Sequence, residues 1–249
     1  MVGRTSYPSQ IRMHVLALAT SLVIILKYGV VWGVLIRLAR LGVTVYLWLY
    51  TITLERLAGK HTFQIIEAIK FTFSLFLFRE AMFFFGIFWA FFDAALSPRI
   101  EIGGEWVPIG IAPVRPYGIP LFNTVVLLRR RVTLTWAHRC LMSKENAAPG
   151  CTLTLGLGVC FLAAQYVEYK TSSFSISDGI YGRVFYFATG FHGLHVLFGW
   201  VFVAVATYLY CNGYLSSVHC HRFDCATVYW HFVDVIWLFL YVFVYWWGY

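Results

Sequence analysis

Apolar residues run in long stretches along most of this sequence, and polar residues collect in short gaps between them. About 20 mainly apolar residues suffice for a helix to cross a bilayer. The pattern predicts seven such helices: Ile11–Tyr28, Val31–Leu54, Phe63–Leu96, Leu121–Met142, Cys151–Tyr169, Gly182–Tyr210 and Ala226–Trp247. The third is long enough that it should tilt or protrude. Alternation with period two is not sustained anywhere, and lipid accepts only helices or closed barrels. The predicted fold is therefore all-α, a polytopic membrane bundle of seven transmembrane helices.

Three gaps punctuate the pattern. "SPRIEIGGEWVPIGIAPVRPYGIP" is rich in Gly and Pro and reads as an ordered surface loop. "KTSSFSISDG" offers Ser177 or Asp178 as a helix N-cap. "NGYLSSVHCHRFD" precedes the last helix. Seven spans put the termini on opposite sides. With the N-terminus inside, inner segments hold Arg4, Arg12, Arg56, Lys60, Lys70, Arg139, Lys144 and Arg222. Outer segments hold the smaller set Lys27, Arg99, Arg115, Lys170 and Arg183, so the bias favours an inside N-terminus. Arg129, Arg130 and Arg131 break the fourth apolar stretch and fit this scheme poorly. Either that helix starts later, or these side chains snorkel, or a partner or lipid phosphate meets them.

Composition sharpens the class. The chain of 249 residues is 60% hydrophobic, 20% aromatic and only 12% charged, against about 25% charged in soluble domains. Its net charge of +8 would suggest nucleic acid in a soluble protein. Here loop cations that orient helices and meet anionic headgroups explain it, and no nucleic-acid partner is expected. Six cysteines without a C-x-x-C read as structural thiols rather than a disulfide framework. The segment "MVGRTSYPSQIRM" lacks an apolar core and a small-residue cleavage site, so no cleavable signal is expected.

Against this apolar background, polar residues inside the spans stand out. Glu80 and Arg79 sit at the centre of "SLFLFREAMFFFGIFWAFF", where a charge costs roughly 3 kcal/mol on insertion scales. Adjacent residues point about 100° apart on a helix. Glu80 is therefore expected to face the bundle interior, and Arg79 another subunit, a lipid phosphate or a water pocket. His192 and His195 are three apart on one helical face. They suggest a haem or metal site only if facing ligands exist, and otherwise structural polar pairs with backbone or neighbouring helices. Gly190, Gly193 and Gly199 allow close helix approach. His231 and Asp234 repeat the spacing of three. Asp234 reads either as a proton-handling or docking carboxylate, or as half of a local pair with His231 or a neighbouring helix. "HCHRFDC" fits no standard zinc spacing. Trp48, Arg56 and His61 join an aromatic residue and cations at a predicted helix end, a composition that suits either a phospholipid headgroup or a solvated loop. No metal site and no catalytic residue set is expected in this chain.

Taken together, these stretches resemble one family, subunit III of the haem–copper cytochrome c oxidases. Its third-helix pattern SE-x-x-FF-x-G-FFWAF is similar to "REAMFFFGIFWAFF", and its loop ELGG-x-W-P-P-x-GI-x-P to "EIGGEWVPIGIAP". The family's PLLNT…TWAHH-x-LM resembles "PLFNTVVLLRRRVTLTWAHRCLM". "FSISDGIYGRVFYFATGFHGLHVLFG" and "YWHFVDVIWLFLYVFVYWWG" match nearly residue for residue. The likeness runs from Gly59 to Tyr249, while the first two helices agree only in length and position. Departures are Arg79 for a small polar residue, Asp93 for a histidine, Asp224 for a glutamate, and the three arginines for small residues.

The resemblance implies a two-helix bundle (residues 1–58) and a five-helix bundle (residues 59–249) with a lipid-filled cleft. It implies an oxidoreductase subunit with no active site of its own, with haem and copper held by partner subunits. The expected role is to support electron transfer from cytochrome c to oxygen, with proton pumping, by stabilising the catalytic subunit and its proton uptake. Glu80 matches the family's buried glutamate. Expected partners are the catalytic haem–copper subunit I, other oxidase subunits, a respiratory supercomplex, and phospholipid: cardiolipin, phosphatidylethanolamine or phosphatidylglycerol. The expected setting is the mitochondrial inner membrane with the N-terminus on the matrix side, a bacterial plasma membrane being the alternative. Two other readings stand beside this one: the corresponding subunit of a quinol oxidase, and a membrane transporter or proton channel. Lack of paired broken helices argues against a transporter.

Overall fold

The computed structural model of the chain describes residues 5–60, 62–98, 103–214 and 221–249. Seven helices form, and no strand is present among the described residues. They are α1 (Tyr7–Tyr28), α2 (Trp32–Leu57), α3 (Phe63–Leu96), α4 (Ile119–Met142), α5 (Ala148–Thr171), α6 (Gly179–Cys211) and α7 (His221–Leu240). A π-helical segment, Tyr241–Trp247, continues α7. Pro8, Pro120 and Pro149 fall in the first turns of α1, α4 and α5. A missing N–H costs least there, so these prolines open helices rather than break them. The 34 residues of α3 reach about 51 Å at 1.5 Å per residue, well beyond a hydrocarbon core.

Six of the seven helices among the described residues are long and apolar enough to cross a membrane. The exception is α4. Arg129, Arg130, Arg131 and Arg139 dilute its apolar residues. It is still 24 residues long and packs against α5 and α7.

The chain packs as two units, Met1–Ile69 and Lys70–Tyr249. In the first, α1 lies against α2, and among the described residues the buried ones are the small polar Ser21 and Thr44. Arg37 of α2 donates across to the Ala17 carbonyl of α1. It also reaches the hydroxyl oxygens of Thr20 at 2.9 Å and Ser21 at 2.7 Å. The outward faces carry Leu16, Val23, Leu35 and Tyr46, as lipid-facing surfaces should. Hydrocarbon gives helices no hydrophobic reason to associate, so small-residue packing and such hydrogen bonds must do it.

The second unit has a true core. Phe84 and Phe91 of α3, Leu127 of α4, Phe161 of α5, Phe185 of α6 and Trp237 of α7 meet in one apolar cluster. A second cluster joins Leu134, Ala137, Cys151, Val203, Phe223 and Trp230. At Gly199 a β-carbon would lie 2.5 Å from the Trp230 ring, so only glycine admits α7 this closely. Gly190 and Gly193 are different. A β-carbon at either would meet nothing within 4 Å, which corrects the expectation that all three mark close helix approach.

The loop before α6 also differs in detail from expectation. Asp178 occupies the N-cap position but makes no side-chain cap bond. Its carboxylate instead accepts from the Ser175 amide at 2.6 Å, and Ser177 pairs with the Ser175 hydroxyl at 2.8 Å.

Candidate functional site

Three polar constellations sit inside the Lys70–Tyr249 unit. The deepest joins α4 to α7. Arg130 donates through Nη2 to Asp234 Oδ1 at 2.9 Å, with both side chains nearly solvent-free. Consecutive helical residues diverge by about 100°, so only one of the three arginines can point inward. Arg130 does so, while Arg129 and Arg131 are exposed. The guanidinium lies 3.9 Å from the Trp230 ring centroid and 5.9 Å from that of Phe161. Its Nε and Nη1 find no hydrogen-bond acceptor among the described residues. The two ring faces supply cation–π attraction in that place. Gly158 of α5 keeps the space open, since a β-carbon there would lie 2.7 Å from Trp200 and 3.7 Å from Arg130 Nη1. The partner of Asp234 is thus the neighbouring helix rather than His231, and the buried pair accounts for Arg130 of the arginine run.

The second constellation was not visible as a site in the sequence. Glu168 of α5 is buried at 2% exposure. Tyr245 donates its hydroxyl to Glu168 Oε1 at 2.6 Å, and Gln165 Nε2 donates to the same oxygen at 3.2 Å. Asn123 of α4 donates to Gln165 Oε1 at 3.3 Å. One carboxylate therefore ties α4, α5 and the π-helical end of α7. The spacing of three between Gln165 and Glu168 puts both on one face, and that pattern could have exposed them.

The third constellation is at Glu80, on α3. Its Oε2 lies 3.1 Å from His195 Nε2 on α6. His195 Nδ1 is 2.7 Å from the Phe191 carbonyl. A carbonyl only accepts, so Nδ1 carries a hydrogen and donates it. The Nε2 contact then takes one of two forms: imidazolium donating to carboxylate, or carboxylic acid donating to neutral imidazole. A proton sits in that contact either way. Arg79 is 74% exposed, yet its Nη2 reaches Glu80 Oε1 at 3.3 Å. Adjacent residues diverge by about 100°, yet these two make contact. The arginine folds along the helix over Phe76, 5.4 Å from its ring centroid, and so spans the angular gap.

The remaining expected residues are dispersed. His192 Nε2 is 3.2 Å from the Val233 carbonyl on α7. His231 is half-buried, and its Nδ1 has no hydrogen-bond partner among the described residues. Trp48 and Arg56 are half-buried two turns apart on α2. His61, His219 and Cys220 lie outside the described residues. Asp224 takes His138 Nε2 at 2.8 Å and lies 3.7 Å from His221. Among the described residues, no three His, Cys, Asp or Glu side chains converge as metal ligands would.

Comparison with known proteins covers the whole chain. The family model for cytochrome c oxidase subunit III matches residues 1–249. A cytochrome c oxidase subunit 3 from Formosania lacustris is 42% identical over 251 aligned positions, covering 100% of this chain and 96% of the relative. Those from Neurospora crassa and Anopheles gambiae are 45% and 46% identical, covering 86% and 82% of this chain and 80% and 79% of the relatives. With a family match that includes α1 and α2 as well as the three polar constellations, the chain belongs to the cytochrome c oxidase subunit III family.

Proposed function

We propose that this chain is a core subunit of cytochrome c oxidase that holds no redox centre itself and sustains the catalytic subunit beside it. Haem and copper belong, in this reading, to subunit I and other oxidase subunits, which pass electrons from cytochrome c to oxygen. The chain contributes by stabilising subunit I and its proton uptake. The setting is the mitochondrial inner membrane, with the N-terminus on the matrix side. The α1–α2 pair and the remaining five helices form two bundles with phospholipid between them, and Trp48, Arg56 and His61 meet a headgroup.

One observation carries the reading: the Glu80–His195 contact, which holds a proton in either of its forms while Glu80 remains 16% exposed. The Arg130–Asp234 and Glu168–Tyr245 contacts are sealed and serve the fold. Glu80 is the acid that keeps an opening, as a group must to exchange protons during turnover.

The test is Glu80→Gln in the intact oxidase. Glutamine keeps the shape and can still bond His195 Nε2, so assembly and the haem spectrum should be retained. Proton uptake should slow, and the enzyme should inactivate after fewer turnovers. Unchanged proton uptake, turnover rate and inactivation would make Glu80 a structural residue. A chain that purifies without haem–copper subunits would instead favour a transporter or channel.

A further inference from the structure

Three consecutive arginines sit at the middle of α4, and the pair with Asp234 accounts for only Arg130. Arg129 and Arg131 are exposed on the surface of this chain. Their side chains make no hydrogen bond or ion pair among the described residues. We propose that they clasp one transmembrane helix of another oxidase subunit, which carries an aspartate or glutamate at mid-membrane depth. This rests on the reading of the chain as a membrane-embedded oxidase subunit, and not on the role given to Glu80.

The neighbouring helix fixes their depth. Asp234 is at the centre of the 27-residue apolar segment His221–Trp247, and its bond to Arg130 sets the middle of α4 at the same level. Arg129 and Arg131 are about 15 Å along α4 from its nearer end. Snorkelling serves cations close to a helix end, and lipid phosphates stay at the surfaces of a hydrocarbon core about 30 Å thick. Neither relieves a guanidinium at this depth. A carboxylate on an adjacent helix does, because its two oxygens match the guanidinium fork.

The face between the two arginines is shaped for a helix. Leu121, Val125, Leu128, Val132, Thr135 and Arg139 recur at alternating spacings of four and three, the seam of a coiled coil. The four aliphatic residues are exposed, Val132 at 68%, while Leu127, Arg130, Leu134 and Ala137 are buried. In that repeat Leu128 and Val132 are seam positions, and Arg129 and Arg131 fall on the two flanking ones, where interhelical charge pairs form. Arg130 falls opposite the seam, as its burial requires. A helix laid on the seam would therefore be met by one cation from each side. A second copy of this chain would set the same cations against each other, so the occupant is a different chain.

The test puts a photoreactive benzophenone amino acid in place of Val132 in the intact oxidase. Membranes are irradiated, and cross-linked peptides are identified by mass spectrometry. The expected product is an apolar segment of another subunit with Asp or Glu within about one helical turn of the attachment point. Arg129→Gln with Arg131→Gln should lower its yield at least about tenfold, because the partner's acid is then left without a cation. Arg129→Lys with Arg131→Lys should restore most of it. The cross-linked segment is read with both arginines in place, so its identity stands even where a variant fails to assemble. Products formed only with acyl chains, with a second copy of this chain or with a segment lacking an acid would overturn the proposal. So would an unchanged yield in the glutamine double variant. Absence of haem–copper subunits beside the chain carrying both arginines would count instead against the oxidase reading.

Discussion

Arg130–Asp234 and Glu80–His195 are both ionisable pairs that bridge two helices, at 2.9 and 3.1 Å, yet their surroundings differ in kind. The first is enclosed by Trp230 and Phe161 with almost no solvent contact. The second sits at the rim of its unit, with Glu80 at 16% and its extra partner Arg79 at 74% exposure. An enclosed pair has only each other to lean on. Removing one partner strands a charge in a medium that cannot solvate it, whereas a rim pair can rearrange toward other partners. Loss of one partner should therefore cost the enclosed pair far more stability than the rim pair, which in the proposed reading is the one that exchanges protons.

The sharpest way to break this contrast is to remove one side of the enclosed pair. Asp234→Ala leaves Arg130 uncompensated and should cost about 3–5 kcal/mol. Assembled oxidase should fall to a small fraction of its normal amount, measured by subunit content of membranes. The double change Arg130→Met with Asp234→Leu should recover much of that loss, because it leaves no stranded charge. If Asp234→Ala assembled normally, the distinction between enclosed and rim pairs would fail.

Next in size is the buried carboxylate of α5. Tyr245→Phe removes the 2.6 Å hydrogen bond to Glu168 and keeps the ring packed against Phe185 and Trp237. Glu168 retains Gln165 as a donor, so the expected loss is about 1–3 kcal/mol. A lower unfolding temperature of the detergent-solubilised complex would register it, with no change in proton uptake.

The ease with which each of these sites could be read from sequence follows the same physics. Helices were legible because lipid demands long apolar runs, and α3 runs from Phe63 to Leu96 as the pattern predicts. Other ends differ: α5 begins at Ala148 rather than Cys151, because Pro149 can sit in a first turn. Glu80 and Asp234 were legible as costly acids in apolar runs. Their partners were not, since pairing depends on which helix lies alongside. Arg130 illustrates this: three adjacent arginines look alike in sequence, and only the approach of α7 selects the inward one. Glu168 escaped notice because "VEYK" near the end of a span resembles an ordinary interface.

A smaller effect is expected from uncoupling the rim pair. Glu80→Gln and His195→Gln, alone and together, should show a coupling of about 1 kcal/mol in complex stability, the size of one net hydrogen bond. A coupling of 3 kcal/mol or more would place this pair with the enclosed ones and undercut its assignment as an exchanging site.

The smallest effect belongs to Arg79. Its contact with Glu80 at 3.3 Å is long for a charge-assisted bond, and its side chain is largely exposed at the surface of this chain. Exposed pairs contribute about 0–1 kcal/mol, and Arg79→Gln should change stability by no more than that. His195 still holds Glu80 Oε2 after the change, so the acid should keep its place. What Arg79 can alter is the opening beside Glu80, because the guanidinium lies across Phe76 at its outer side. Arg79→Gln should therefore leave assembly intact and change the rate of proton uptake by less than Glu80→Gln does. Were it to match Glu80→Gln in uptake and inactivation, the exchanging unit would be the Arg79–Glu80–His195 cluster, and not the acid and histidine alone.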